Sequence, residues 1–253
     1  MLRRGWTASS MTAIVAVLFA VTPFVTASRW ACGQSSEDDA RPSSLTVTGD
    51  FNHDGIPDVA EAISAPGDSG PAYLKISLGQ ADGTFKQMSS LPLGASPTAI
   101  VSGDFNQDGI PDVIVGERDG ALELFLGDGT GNLHPAGAIA RLESVVSIAV
   151  ADFNHDGLLD IAVSDRRASL VTILLGTGKG GFRAVTSIPL RMAGTSPHIS
   201  AADFNGDGIP DLAVVYGDDD ESSYDVMLGN GNGTFTFSPQ LSLVRDPNSY
   251  CPS

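Results

Sequence analysis

The sequence predicts an all-β protein built from four repeats. An acidic segment of the form DFNxDGxxD occurs four times, at residues 50–58, 104–112, 152–160 and 203–211. Short segments with alternating apolar residues flank each copy, and clusters of glycine, asparagine and aspartate separate them, which is typical of strands joined by tight turns. No helical periodicity is visible after residue 45.

Each repeat, about fifty residues long, predicts four strands. The first leads into the acidic segment, as in Ala99–Gly103, and the second follows it, as in Val113–Val115. The third ends on glycine, as in Leu122–Gly127, and a Gly/Asp/Asn turn precedes the fourth, as in the stretch from Gly233 to Leu243. Four strands in a unit of this size match one blade of a β-propeller. The domain is therefore placed at 45–253, with repeats at about 45–92, 93–141, 142–193 and 194–245.

The acidic segment carries the donor set of a hard cation. Positions 1, 3, 5 and 9 offer Asp, Asn, Asp and Asp oxygens, and position 7 offers a backbone carbonyl while its side chain enters the core. Position 6 is always glycine, as expected where the backbone needs a conformation that a Cβ penalises. Five oxygen donors suit Ca²⁺, about one ion per segment and four per chain, and the absence of His and Cys from these positions gives no support to zinc. The predicted ligands are Asp50, Asn52, Asp54, Ile56, Asp58, Asp104, Asn106, Asp108, Ile110, Asp112, Asp152, Asn154, Asp156, Leu158, Asp160, Asp203, Asn205, Asp207, Ile209 and Asp211.

Two other interpretations of these segments are weaker. The first copy, through Asp50 to Glu61, satisfies an EF-hand loop, but the twelfth positions of the other copies are Val115, Val163 and Val214. The flanking segments alternate as strands rather than helices, so we interpret Glu61 as a coincidence. A purely structural polar turn does not need three carboxylates and one amide at fixed spacing four times.

The DFNxDGxxD segments, together with the later LGxGxGxF hairpins, resemble the FG-GAP/VCBS repeat of integrin-type β-propellers over nearly all of residues 45–245. The departures are Leu133 in place of the hairpin phenylalanine and four repeats where family propellers usually have seven blades. The resemblance implies four-stranded blades forming a closed four-bladed disc, or part of a larger or dimeric propeller. We expect the phenylalanine at position 2 of each segment to lie between blades.

The N-terminus predicts secretion. Arg3 and Arg4 precede the apolar run Met11–Val25, which is the layout of a signal peptide. The run is short for a membrane span, and an uncleaved membrane anchor is the alternative. We place the signal peptide at 1–27, with cleavage as late as residue 33, and a disordered leader at 28–44. The expected location is secreted or extracytoplasmic, with periplasm and cell surface both open.

Two cysteines, Cys32 and Cys251, leave their chemistry open. They could pair in an oxidising compartment, but cleavage after residue 33 would remove the first. Arg29 stands where a lipoprotein signal expects an aliphatic residue, which argues against lipid attachment at Cys32.

Charge and motifs narrow the function. The chain has 14 basic and 30 acidic residues, a net charge of −16, which disfavours nucleic acid and anionic lipid as partners. The segment Gly67–Pro71 resembles a protease nucleophile motif around Ser69, but no partner constellation accompanies it. We therefore expect a non-catalytic binding or adhesion scaffold, monomeric or homodimeric, for an unidentified extracellular protein or glycan. The alternative is a hydrolase or lyase acting on extracellular polysaccharide.

Overall fold

The computed structural model describes residues 44–65, 70–191, 196–217 and 223–238. The predicted signal peptide, both cysteines, Ser69 and nearly all of the leader and C-terminal tail lie outside these ranges. Within them, no helix is long and apolar enough to cross a membrane.

The described residues form four antiparallel sheets of four strands, each hydrogen-bonded in chain order. Sheet 1 contains β1 (Ser44–Gly49), β2 (Asp58–Ile63), β3 (Ala72–Gly79) and β4 (Phe85–Leu93). Sheet 2 contains β5 (Pro97–Gly103), β6 (Asp112–Glu117), β7 (Ala121–Gly127) and β8 (Leu133–Arg141). Sheet 3 contains β9 (Val145–Ala151), β10 (Asp160–Asp165), β11 (Leu170–Gly176) and β12 (Phe182–Pro189). Sheet 4 contains β13 (Ser196–Ala202), β14 (Asp211–Gly217), β15 (Ser223–Gly229) and β16 (Phe235–Phe237).

The predicted all-β class and the four-strand repeat are confirmed, and the sheets have the form of propeller blades. The fourth strand of sheet 4 is described only to Phe237, so its predicted continuation to Leu243 lies outside the described residues. Leu133, the sequence departure in the second hairpin, is 4% exposed and fills the position that phenylalanine takes in the other sheets.

Burial follows strand order. The second strands of sheets 2 and 3, β6 and β10, are buried at every position, whereas the fourth strands β8 and β12 are mostly exposed. Runs of Val, Ile and Leu suit a strand that is covered on both faces, because alternate side chains must then enter two different cores. The first strands of the four sheets, here called the inner strands, lie beside one another in the order β1, β5, β9 and β13.

Three hydrophobic clusters fill the spaces between neighbouring sheets. One joins sheets 1 and 2, the next joins sheets 2 and 3, and the last joins sheets 3 and 4. Phe51, Phe105 and Phe153 are buried in these spaces, one in each, as the sequence predicts. Phe204, the fourth member of the set, is only half-buried.

The first and fourth sheets are not joined in the same way. Among the described residues, no contact between β1 and β13 matches those that link the other inner strands. On the outer side, Phe85 of sheet 1 is 57% exposed, although its counterpart Leu133 is buried under the preceding sheet. Closure of the four sheets into a ring therefore stays a prediction.

Candidate metal centres

The four acidic segments connect the first and second strands of each sheet. In each one the residue before position 1 pairs with the aspartate at position 9, as Gly103 does with Asp112 and Ala202 with Asp211. Positions 4 and 6 adopt left-handed backbone conformations, with φ of 57° at His53 and 81° at Gly55. Such values are rare for residues other than glycine, and they curl the chain so that its side-chain oxygens point inward.

One hydrogen-bond pattern holds the curl in every loop. In the first, Asp50 accepts from the amide of Asp54 through Oδ1 at 3.1 Å and from the amide of Gly55 through Oδ2 at 2.9 Å. Asn52 Oδ1 also accepts from the Asp54 amide, and Asp54 Oδ1 accepts from the amide of Ile56. The same set recurs in the second, third and fourth loops. The bonds of the Asn at position 3 and the Asp at position 5 are Asx turns, whereas the Asp at position 1 reaches amides four and five residues further on.

The aspartate at position 9 has a different environment. Asp58, Asp112, Asp160 and Asp211 are each 0% exposed. Asp112 accepts from the amide of Phe105 through Oδ2 and from the amide of Gly127 through Oδ1, both at 2.9 Å. Because Gly127 ends the third strand, this carboxylate ties the loop to the neighbouring strand of its own sheet. The same pair of bonds occurs in the other three sheets.

A close approach of two backbone segments explains the glycine at the end of each third strand. A Cβ on Gly127 would lie 2.4 Å from the carbonyl oxygen of Pro111, and equivalent contacts of 2.3 Å exist at Gly79, Gly176 and Gly229. The position 7 residue Ile110 packs beside the same glycine and is half-buried. Its side chain therefore covers the hairpin of its own sheet rather than entering a cluster between sheets.

Burial dominates the electrostatics of position 9. It raises the pKa of Asp112 and of Asp160 to about 6, against the effect of the two amides that favour the carboxylate. The charges of Asp104 and Asp108 raise the pKa of Asp112 further. The three acids of a loop therefore repel one another, which is the arrangement that a bound cation would relieve.

The donor chemistry fits a hard cation, although the side chains are turned toward their own backbone. Among the described residues, no group of three His, Cys, Asp or Glu side chains is arranged to hold a metal ion. The hydrogen bonds account for this, because the oxygens at positions 1, 3 and 5 each face a loop amide. A carboxylate has about four lone-pair sites, so each aspartate keeps acceptor capacity beyond the bonds described.

Each of the first three loops is also held by the sheet that follows it. The amide of Gly131, in the β7–β8 turn, donates to the carbonyl of Phe51 at 3.0 Å. Gly180 and Gly233 make the same bond to Phe105 and Phe153. In two of these pairs the phenylalanine rings are also in contact. The ring centroids of Phe105 and Phe182 are 5.7 Å apart, and those of Phe153 and Phe235 are 5.4 Å apart.

Acids outside the loops have structural partners that the sequence analysis did not anticipate. Glu117 and Asp165, at the ends of β6 and β10, are 1% exposed and accept from the amides of Gly94 and Glu143. Each bond fixes the segment that enters the same sheet. In sheet 4 Tyr216 takes this place, and its hydroxyl donates to Asp225, which also pairs with Arg191 at 3.2 Å. An acid at a strand end looks like part of a solvated turn, so only the structure reveals this role.

The sheets and loops define a class: an all-β repeat protein with propeller-like blades and an acidic loop in each. Three consecutive segments, residues 50–115, 104–163 and 156–214, match the FG-GAP-like repeat family. Together they include all four loops and more than half of the chain, so the chain belongs to this family. No curated protein matches the sequence.

Solved structures agree on the fold. The chain is similar to BBS1N in its complex with ARL6DN, with a TM-score of 0.50, 19% identity, and coverage of 79% of this chain and 56% of that one. It is also similar to the β-fructofuranosidase of Schwanniomyces occidentalis in complex with fructosyl-erythritol, with a TM-score of 0.54, 9% identity, and coverage of 83% and 48%. The chain thus spans about half the length of these proteins. At such identities the likeness concerns the fold alone.

Proposed function

We propose that this protein is a secreted, non-catalytic binding scaffold whose four loops each bind one calcium ion. The observation that carries the proposal is the fourfold repetition of one donor set in one backbone conformation, held by one hydrogen-bond pattern. Asp, Asn and Asp at positions 1, 3 and 5 would hold the ion with the position 7 carbonyl and the position 9 carboxylate. Calcium suits this set because it accepts 6–8 oxygen ligands in adaptable geometry.

Bound calcium would neutralise a repulsion built into each loop. Three carboxylates lie within nine residues of sequence, and twelve of the chain's 30 acids belong to the four loops. At free calcium ten times the dissociation constant, each site adds about 1.4 kcal/mol, so four sites add about 5–6 kcal/mol. That is comparable to the net stability of an ordinary domain, so we assign the ions to holding the fold.

The binding role is supported by how the buried acids are used. Outside the loops, the buried acids of the described part are Glu117, Asp165 and Asp225, and each is engaged by backbone amides or by Tyr216 and Arg191. A glycoside hydrolase needs two carboxyl groups free to face the scissile bond. These three acids are therefore not free to supply the pair of carboxyl groups that a polysaccharide hydrolase or lyase would need, and such an enzyme remains the alternative.

Calorimetric titration tests the metal proposal. Protein stripped with chelator should bind close to four equivalents of Ca²⁺, and one equivalent or none would contradict it. Magnesium at the same concentration is the control, because its rigid octahedral demand fits these loops poorly.

A glycan panel tests the binding proposal. The calcium-loaded protein is incubated with extracellular polysaccharides, and both retention on the immobilised glycan and release of reducing ends are measured. Retention without release is expected of a scaffold. Release that persists through purification and disappears on unfolding would establish the enzyme instead.

A further inference from the structure

The surface of sheet 1 that faces away from sheet 2 differs from the matching surface of every other sheet. In sheets 2, 3 and 4 this surface packs against the preceding sheet, and its residues belong to the three hydrophobic clusters. Sheet 1 has no described sheet before it. Its surface can therefore be compared position by position with three covered ones.

Three positions give the comparison. Four residues before each loop, the covered sheets have Ile100, Ile148 and Ile199, between 5% and 8% exposed. Eleven residues after the start of each loop they have Val115, Val163 and Val214, all 0% exposed. Two residues before the terminal glycine of the third strand they have Phe125, Leu174 and Met227, between 0% and 3% exposed.

Sheet 1 has a polar residue at all three positions. They are Thr46, Glu61 and Ser77, and each is half-buried, as expected on an open sheet surface. Thr46 pairs directly with Glu61 across β1 and β2, and Glu61 pairs with Lys75 across β2 and β3. Polar side chains thus run across the middle of the sheet, and the facing charges of Glu61 and Lys75 favour this register. Tyr73 and Phe85, at the ends of β3 and β4, share this face and are 37% and 57% exposed.

The opposite surface of sheet 1, which faces sheet 2, is apolar like the matching surfaces of sheets 2 and 3. Val47, Ala60 and Ile76 alternate with the three polar residues along the strands and are buried against sheet 2. Because successive side chains of a strand point to opposite faces, the polar substitutions affect one face only. The change therefore reflects what lies against that face, and not a general weakening of the repeat.

We infer that this face of sheet 1, carrying Thr46, Glu61 and Ser77, is a permanent water-facing cap that ends the stack of sheets. In a closed four-bladed disc the face would be covered by sheet 4, and in a ring of two copies by sheet 4 of the partner copy. Either arrangement would bury the charges of Glu61 and its neighbour Lys75 where three valines lie in the internal interfaces. Taking both charges out of water costs more than their mutual attraction returns unless further hydrogen bonds satisfy them. Terminal repeats with a polar outer surface are the usual way in which repeat arrays stay soluble with open ends.

Cysteine labelling measures whether the face is open. In a full chain with Cys32 and Cys251 replaced by serine, Ser77→Cys and Ser164→Cys are treated with a bulky maleimide in native conditions. Ser164 is the matched control, because it is 0% exposed and donates to the carbonyl of Pro197 in the next sheet. The Ser77→Cys thiol should react at least a hundredfold faster than the Ser164→Cys thiol. Equal protection of the two thiols would show that the face is covered and would overturn the cap.

Light scattering measures whether the three residues keep copies apart. The native chain should have the mass of one copy, and a mass of two copies would contradict the inference. The triple variant Thr46→Ile, Glu61→Val, Ser77→Phe installs the residues of sheet 2 and should self-associate at micromolar concentration. The control triple Thr46→Ser, Glu61→Gln, Ser77→Thr preserves polarity and should stay a single copy. An apolar triple variant that folds and remains a single copy would overturn the inference.

Discussion

Within each loop, the carboxylates at positions 1 and 9 share a residue type but have different roles. Asp104 is half-buried and accepts from two amides of its own loop, whereas Asp112 is 0% exposed and joins the loop to the end of the third strand. A cation held by the carboxylate at position 1 would stabilise the folded state only while it is bound. The buried carboxylate, by contrast, holds the loop to the third strand whether or not a metal is present, although its burial disfavours the charge and raises its pKa to about 6.

Removing calcium should have the largest effect. If four sites add about 5–6 kcal/mol, a chelator should lower the melting temperature by about 10–20 °C for a domain of this size. Differential scanning calorimetry with and without chelator measures this change. A melting temperature that does not respond to calcium would limit the loops to the structural role seen at position 9.

Changing the buried carboxylate at position 9 should have the second-largest effect. Asp112→Asn keeps the shape but turns one amide group toward a backbone amide, leaving a buried donor without an acceptor. The expected loss is about 2–4 kcal/mol in the free energy of unfolding, measured by denaturant titration in chelator. Working without metal separates this loss from weakened binding. A loss below about 1 kcal/mol would mean that the two amides find other acceptors.

Changing the half-buried carboxylate at position 1 should have the smallest effect on the chelated protein. Asp104→Asn retains one acceptor oxygen in an exposed loop, so its unfolding free energy in chelator should fall by less than about 1 kcal/mol. Calcium titration should nevertheless drop from about four equivalents to three. If Asp104→Asn binds as much calcium as the native chain, position 1 is not a ligand.

Much of the fold could be predicted because the repeat displays its own register. The sequence predicts that the third strand ends at Gly127 and that the second includes Val113–Val115, and both predictions are confirmed, since alternation and turn glycines mark these elements directly. Contacts that join distant residues left no such mark. The bond from Gly127 to Asp112 and the bond from Gly94 to Glu117 depend on the three-dimensional path of the backbone.

Glu61 shows how a residue can be noticed for the wrong reason. Its spacing suits the last ligand of an EF-hand, and it was interpreted as a coincidence against three valines at the matching positions. The structure supplies a physical cause, because those valines face a preceding sheet and Glu61 faces none in the described part of the chain. Position in the array, which a single repeat cannot encode, decides which residue type is suitable.

The bond from each hairpin turn back to the preceding loop also affects how the chain is made. Phe51 receives its partner Gly131 only from the following repeat, and Phe105 waits in the same way for Gly180. A chain that is synthesised from its N-terminus can therefore form this bond at each of the first three loops only after the next repeat has been made. During synthesis, the newest of these three loops is therefore the one that still lacks its bond to the next hairpin turn.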